Sequence, residues 1–485
     1  MDKSKISDHY FKKGVFITPF NQIENLQLQS WNFKRLPTYI WLGLIIKHYG
    51  HTIGLEKCFK IVKFLIKDLS VGIDYPMFHL INRLNDKILE RFYDYILTEI
   101  DNEILYPLTL IYTYSHYQLF NKYFNQQKLR DNRLELLSEI LEDTYDHQSH
   151  LSSDIRFIIL WSAVLSGKMM MSHDLLIVKA LKEYAYCAHE DEIMRQYRPT
   201  IRATEISLGS MPGTELFDEG FNNHFWKEIS EMTECKLFIV EIKDNDDHDM
   251  MNRYKEYVHK VMQYYEGVLR VFHPINKKAE VLFSILMYSF KRIKELIEHD
   301  LSHEISGRSI ARSLTENLIM MKYLVFEEST HANIWEDFMS YGLGQFKLIS
   351  SRYSESASSP KDSHVPINYI DAILSSETND AFLNMDTRYF DQKKIRDKAI
   401  QVGEKELYDF YYDYDSQFEH GLWGAIRESV SVVCDNSSHR FHHSIDVEDK
   451  QKLTSVWKDC EMLMNKSIAF VHTMFSLPSE LTKYE

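Results

Sequence analysis

The segment 408–429, YDFYYDYDSQFEHGLWGAIRES, holds the densest set of reactive side chains in the chain. At about 100° per residue, Ser416, His420, Trp423 and Arg427 fall within about 60° of one another on a helical face. Asp409 and Asp413 stand at the edge of the same face. A hydroxyl, an imidazole, an indole and a guanidinium on one stripe can do acid–base chemistry on an anion. Histidine exchanges a proton near neutrality. Arginine opposes developing negative charge, and a carboxylate such as Asp413 orients the imidazole. Gly421 and Gly424 cost helix stability but let a ligand or a second helix approach closely. The stripe also reads as a polar network joining two helices, each group satisfied by its neighbour.

A second stripe lies on 307–328, where Arg308, Arg312 and Glu316 are spaced i, i+4, i+8. Arg312 and Glu316 suit a surface ion pair worth a few tenths of a kcal/mol. Leu314, Leu318, Met321 and Leu324 mark a buried side, so the arginines can border a bundle interior. If this helix packs against 404–431, then Arg308, Arg312, His420 and Arg427 make an anion or phosphodiester pocket. Glu316, Asp413 and Ser416 complete that candidate catalytic set. A third pattern, Cys434-x4-His439-x2-His442, offers soft and borderline ligands that zinc accepts. No fourth ligand is obvious, although His420 or Asp435 could serve. The sequence favours a surface loop capping the bundle, with no metal and no cofactor. A fourth pattern, Glu241-x-Lys243 with Glu215 and Asp218 upstream, suits a metal-dependent nuclease only inside a multistranded sheet. The chain offers no such sheet, so the expectation is a solvated strand end.

The elements that must position these residues are helical. Gly is 16 and Pro 10 among 485 residues, too few for a turn-rich β protein. Pro37 suits the first turn of a helix over 37–49. Apolar residues recur at three and four over 54–67 and 88–100. Short helices continue to about 198. Residues 199–250 contain helix breakers and one β-rich run, CKLFIVEIK, and read as a junction with at most a small sheet near 202–242. Longer helices follow over 276–303, 307–328, 332–352, 394–431 and 447–476, which suggest a bundle. The expected architecture is mainly α. It comprises an N-terminal helical domain (1–198), a junction (199–250) and a C-terminal helical bundle (251–485).

The C-terminal half resembles a bacterial family of all-helical domains of unknown function carried in mobile and anti-phage defence islands. The resemblance rests on GRSIARSLTENLIMMKYL, YGLGQFKL, GEKELYDFYYDYDSQFEHGLWGAIRES and the CDNSSHRFHH loop, and covers roughly 270–475. SWNFKRLPTYIWLGLI looks like a companion segment of longer members. Many relatives carry Pro in the CDN loop where this chain has Ser437. The resemblance implies a fold class and a defence setting but no agreed reaction.

Two functional expectations follow. One is a defence effector whose Arg/His site acts on RNA or DNA in the manner of a ribonuclease. The other is a non-catalytic helical sensor or scaffold that binds a partner protein of a defence system. The HEPN-type ribonuclease spacing of Arg and His occurs at Arg253…His259 and Arg292…His299, no more often than chance supplies. No Walker loop, GxSxG, HExxH or GxGxxG is present. There are 56 basic against 71 acidic residues, a net charge of −15, so nothing marks the whole chain as a nucleic-acid binder. Five scattered cysteines without a CxxC argue against a disulfide framework and for a reducing cytoplasm. MDKSKISDHYFKK has no apolar core, so no secretory signal is expected. The apolar runs 157–165 and 281–290 fall short of the ~18–20 residues that span a bilayer, so no membrane contact is expected.

Overall fold

The computed structural model describes residues 10–17, 35–69, 84–113, 117–125, 132–169, 174–209, 219–240, 246–355, 364–377, 391–439 and 442–482, with the single residues 78, 81 and 172. Its elements are mainly α-helices, as the Gly and Pro deficit predicts. The chain divides into two units by its own contacts. The first holds 1–238 and 433–444, and the second holds 239–432 and 445–485. Residues 433–444, placed by the sequence in the C-terminal bundle, therefore group with the first unit.

The first unit starts with a hairpin, β1 (Tyr10–Lys12) and β2 (Val15–Ile17). Lys13 and Gly14 both have positive φ, the requirement of a tight two-residue hairpin turn. Then come α1 (Leu36–Tyr49), α2 (His51–Lys63), α3 (Asp86–Glu99), α4 (Gln118–Phe124) and α5 (Arg133–Tyr145). These are followed by α6 (His150–Leu165), α7 (Leu176–Glu183), α8 (Met194–Gly209) and α9 (Glu219–Glu231). Helix α1 is apolar all round and buried from Leu36 to Ile46, so it forms the axis of this unit. Pro37 stands in its first turn. At the α1–α2 crossing a Cβ on Gly54 would lie 2.7 Å from the Ile46 Cα, so only glycine fits. Trp41 of α1 stacks on Phe78 and donates to the Tyr112 hydroxyl at 2.6 Å. Glu205 of α8 is fully buried and pairs with Arg35 at 3.0 Å and Arg156 at 3.6 Å.

The second unit contains α10 (His248–Val271), α11 (Lys277–Glu298), α12 (Ile305–Glu327), α13 (Ile334–Glu355) and α14 (Ile367–Glu377). After these come α15 (Ile395–Gln401), a π-helical turn at Leu407–Tyr412, α16 (Asp413–Glu419), α17 (Trp423–Val430) and α18 (Trp457–His472). Asp247 caps α10 by accepting from the Met250 N–H, and Asn276 caps α11 by accepting from the Ala279 N–H. Helix α12 is central and packs against α11, α15, α16, α18 and the π turn. Its Leu314, Leu318 and Met321 bury with Leu282, Leu286, Leu463 and Met464.

Four expectations change. Residues 199–250, expected as a junction of helix breakers, hold the rest of α8, with Pro199 inside it, and α9. The expected 394–431 helix is three α-helices and a π turn, because Gly403 and Gly421 adopt positive φ of 76° and 58°. The expected 447–476 helix begins at Trp457. The β-rich run yields only β3 (Leu237–Phe238) among the described residues. That strand pairs antiparallel with β4 (Ser431–Cys434), which neighbours β5 (His443–Ile445). Glu215, Asp218, Glu241 and Lys243 lie outside the described residues. No described helix is long and apolar enough to cross a membrane.

Candidate functional site

The two polar stripes meet where α12 packs on α16, but only in part. Arg312 donates from Nε to the Ser416 hydroxyl at 3.0 Å and from a terminal nitrogen to the Tyr412 hydroxyl at 2.7 Å. Its guanidinium lies over the Tyr412 ring, and Glu316 stands 3.6 Å from its other terminal nitrogen. Ser416 in turn donates to the Tyr412 carbonyl at 2.5 Å. Arg308 is 2 % exposed. Its terminal nitrogens donate to the carbonyls of Ser302, at 3.0 Å, and Thr454. Both arginines are thus engaged inside the unit.

Beside Arg308 lies a carboxyl that no spacing in the sequence singles out. Asp415 is 4 % exposed and accepts no hydrogen bond among the described residues. Burial pushes its carboxyl up to about 7; Arg308 pulls it down, and Asp459 of α18 pushes it further up. The Asp459 carboxyl is itself raised by burial, although Tyr411 donates to it. Only the depth of residue 415 marks it out. In the sequence it is one of three acids in YDYDSQFE.

His420 and Arg427 are not part of this network. Helix α16 ends at Glu419, and His420 is the residue that closes it. The Gly421 N–H bonds the Phe418 carbonyl, and the Leu422 N–H bonds the Gln417 carbonyl, the paired bonds of a Schellman end. The chain then starts α17 in a new direction, so the 100° arithmetic no longer applies across the turn. His420, Trp423 and Arg427 are exposed. The side chains of His420 and Arg427 have no partner among the described residues. Asp413, also exposed, faces Tyr408 through a hydrogen bond instead. The structure therefore brings together Arg312, Glu316 and Ser416, sets Arg308 apart on backbone carbonyls with Asp415 as the acid both arginines act on, and leaves His420, Arg427 and Asp413 outside.

The Cys434 loop gains a ligand the sequence did not offer. The Cys235 sulfur lies 3.2 Å from Nδ1 of His439 and 3.2 Å from Nδ1 of His442. With Cys434, the four donor atoms lie within 4.8 Å of one another. His420, one of the two suggested fourth ligands, lies on the second unit and is not in this group. Asp435 is not in it either; its N–H bonds the Lys236 carbonyl at 2.7 Å. Cys235 stands 204 residues before His439, a separation no local motif spans. The available signal was its position at the start of the one β-rich run.

A second cluster, which no sequence motif marks, is His51, Asp154 and His189. Nδ1 of His51 faces Asp154 at 2.9 Å and Nε2 faces the Tyr184 carbonyl at 3.1 Å. Both partners accept, so the two bonds together favour the imidazolium, a form with no lone pair for a metal. Burial works against that charge, but the bond and charge of Asp154, with the backbone bonds to Tyr184 and Cys187, together outweigh it and raise the imidazole pKa. Burial would likewise raise the Asp154 carboxyl, but bonds from His189 and His51 hold it below its usual value. This is a buried ion pair that ties α2 to α6.

Residues 281–439 match a family of unknown function (DUF5677). The C-terminal half thus carries a domain similar to that family, running from α11 into the Cys434 loop. No curated protein and no solved structure matches the chain.

Proposed function

We propose that the protein is a non-catalytic, helical partner-binding protein of a bacterial defence system, docking through the segment His420–Val430. The observation that carries this reading is the exposure of α17. Trp423 is 73 % exposed, Leu422 47 % and Ile426 37 %. An indole left in water beside two apolar side chains is the composition of an interface anchor. The unpaired His420 and Arg427 at its border suit a partner protein with an apolar pocket and an acidic rim. A ribonuclease needs its base beside its cations. Here the arginines of α12 are bonded to Ser302, Thr454, Ser416, Tyr412 and Glu316, and neither bonds His420. The defence setting rests on the resemblance of the C-terminal half.

The test uses bacteria carrying the gene, challenged with a phage panel, and the purified chain. Trp423→Ala combined with Arg427→Glu should abolish protection and leave the melting temperature unchanged. Loss of an anchor of roughly 2 kcal/mol should weaken capture of the partner about 30-fold. Labelled RNA and DNA should remain intact. Cleavage of RNA by the purified chain, lost in His420→Ala, would restore the nuclease reading.

A further inference from the structure

We propose that Cys235, Cys434, His439 and His442 bind one structural zinc ion. All four belong to the first unit. Two thiols and two imidazoles are the ligand set of a closed, tetrahedral zinc site. Zinc–sulfur and zinc–nitrogen bonds of about 2.3 and 2.0 Å put the ligand atoms of such a site about 3.3–3.8 Å apart. The two measured sulfur–nitrogen separations, both 3.2 Å, are close to that range. The cluster as a whole is tight enough for one ion, with every pair of donor atoms within 4.8 Å.

The second shell points the same way, independently of the distances. Nε2 of His439 lies 3.1 Å from the Thr233 carbonyl and 2.9 Å from the Thr233 hydroxyl. A carbonyl only accepts, so Nε2 carries the proton. In the neutral ring Nδ1 is then left with a free lone pair, and it faces the Cys235 sulfur. Fixing a ligand histidine by a bond from its far nitrogen to a backbone carbonyl is the usual second shell of a zinc site.

The backbone around the four residues is built to hold them. Cys434 pairs with Leu237 in the β3–β4 ladder, and its N–H bonds the His442 carbonyl at 2.8 Å. The Asn436 amide donates to the Glu234 carbonyl at 2.8 Å and its oxygen accepts from the Ser438 N–H at 3.0 Å. The His439 N–H bonds the Asn436 carbonyl, and the His442 N–H bonds the His439 carbonyl. Yet strands of two to four residues with a few buried side chains do not sustain a sheet alone. A metal joining 235 to 434–442 supplies the missing constraint, as it does in other small sites with little core. Four protein ligands leave no position for water or substrate. The role is therefore structural and not hydrolytic.

The full chain is purified under reductant, without added chelator, and its metal is measured. The expected content is about one zinc per chain, the stoichiometry of a single four-ligand site. Cobalt exchanged into the site should show the visible bands of a tetrahedral ion and a near-ultraviolet thiolate charge-transfer band. Cys235→Ser should lose the zinc and the charge-transfer intensity while its helical circular dichroism stays unchanged, since Cys235 is exposed. Cys187→Ser, away from the cluster, should keep both. Three results would overturn the proposal. They are a reduced chain without metal that takes up none on titration with zinc, a Cys235→Ser variant that retains it, and a Cys235–Cys434 disulfide in place of two free thiols.

Discussion

Asp415 is buried without a donor on its carboxylate, and that fixes the sign of its effect on stability. Its carboxyl stands at about 7 in the folded chain, against an ordinary value of 3.8. A raised folded value means that the folded state holds the proton more tightly. The associated stability is fully present below about pH 4 and is lost as pH rises through 7. Three pH units correspond to about 4 kcal/mol as an upper bound. The charges facing it are Arg308 and Arg312 from α12 and Asp459 from α18. Asp459, also raised, acts with the same sign. Melting temperatures measured from pH 5 to 8.5 should fall more steeply in the wild type than in Asp415→Asn. An identical slope in the two proteins would show that Asp415 does not hold its proton. The neighbouring arginine gives a second test. Arg312→Ala removes the donor to the Ser416 and Tyr412 hydroxyls and should cost ~1–3 kcal/mol. Protection against phage should survive in proportion to the folded protein. Full stability with lost protection would instead assign Arg312 to a binding or reacting group.

At the scale of elements, the break between α16 and α17 decides which residues act together. The α1 start at Pro37 and the face of α3 were legible, because a proline in the first turn and a repeat at three and four are local signals. Leu89, Phe92, Tyr93 and Ile96 of α3 are all buried as that repeat requires. The end of α16 is equally local and turns on one residue. The spacing suits Gly421 to close approach within a helix; in the structure it is the left-handed residue that ends one. No atom lies within 4 Å of a Cβ built there, so the cost of a side chain is conformational alone. Gly421→Ala should lower stability by about 1 kcal/mol. Gly424 lies within α17 with open space around it. Gly424→Ala should raise stability by about 0.5 kcal/mol. Equal effects at the two positions, read from urea unfolding, would contradict the break. The Arg312–Ser416 part of the candidate site survived the break because both residues precede it. His420 and Arg427 fell away because they flank or follow it.

At the scale of the molecule, the sequence was least legible where distant segments close on each other. In the sequence Cys235 starts a strand and the Cys434 loop is a surface cap, and periodicity has no means of pairing them. Fold class was legible because it follows from composition and helical period summed over the whole chain. The net charge of −15 likewise acts globally and opposes any non-specific hold on polyanions. The pairing of 235 with 434–442 has its own global consequence. Residues 433–444 are returned to the first unit by the β3–β4 ladder and the Cys/His cluster. The four candidate ligands all come from 235 and 434–442, while α12 and α18 contribute none. Amides in Ile305–Glu327 and Trp457–His472 are protected by a packed apolar core, which a chelator does not touch. Those of the short strands depend on the cluster for their constraint. Hydrogen exchange before and after chelation should therefore show protection lost over 233–238, 433–439 and 442–444, and kept in α12 and α18. Restoring zinc should restore it. Loss spread evenly over both units would mean that the cluster is not a local clamp, and no change anywhere would mean that the ladder holds without it.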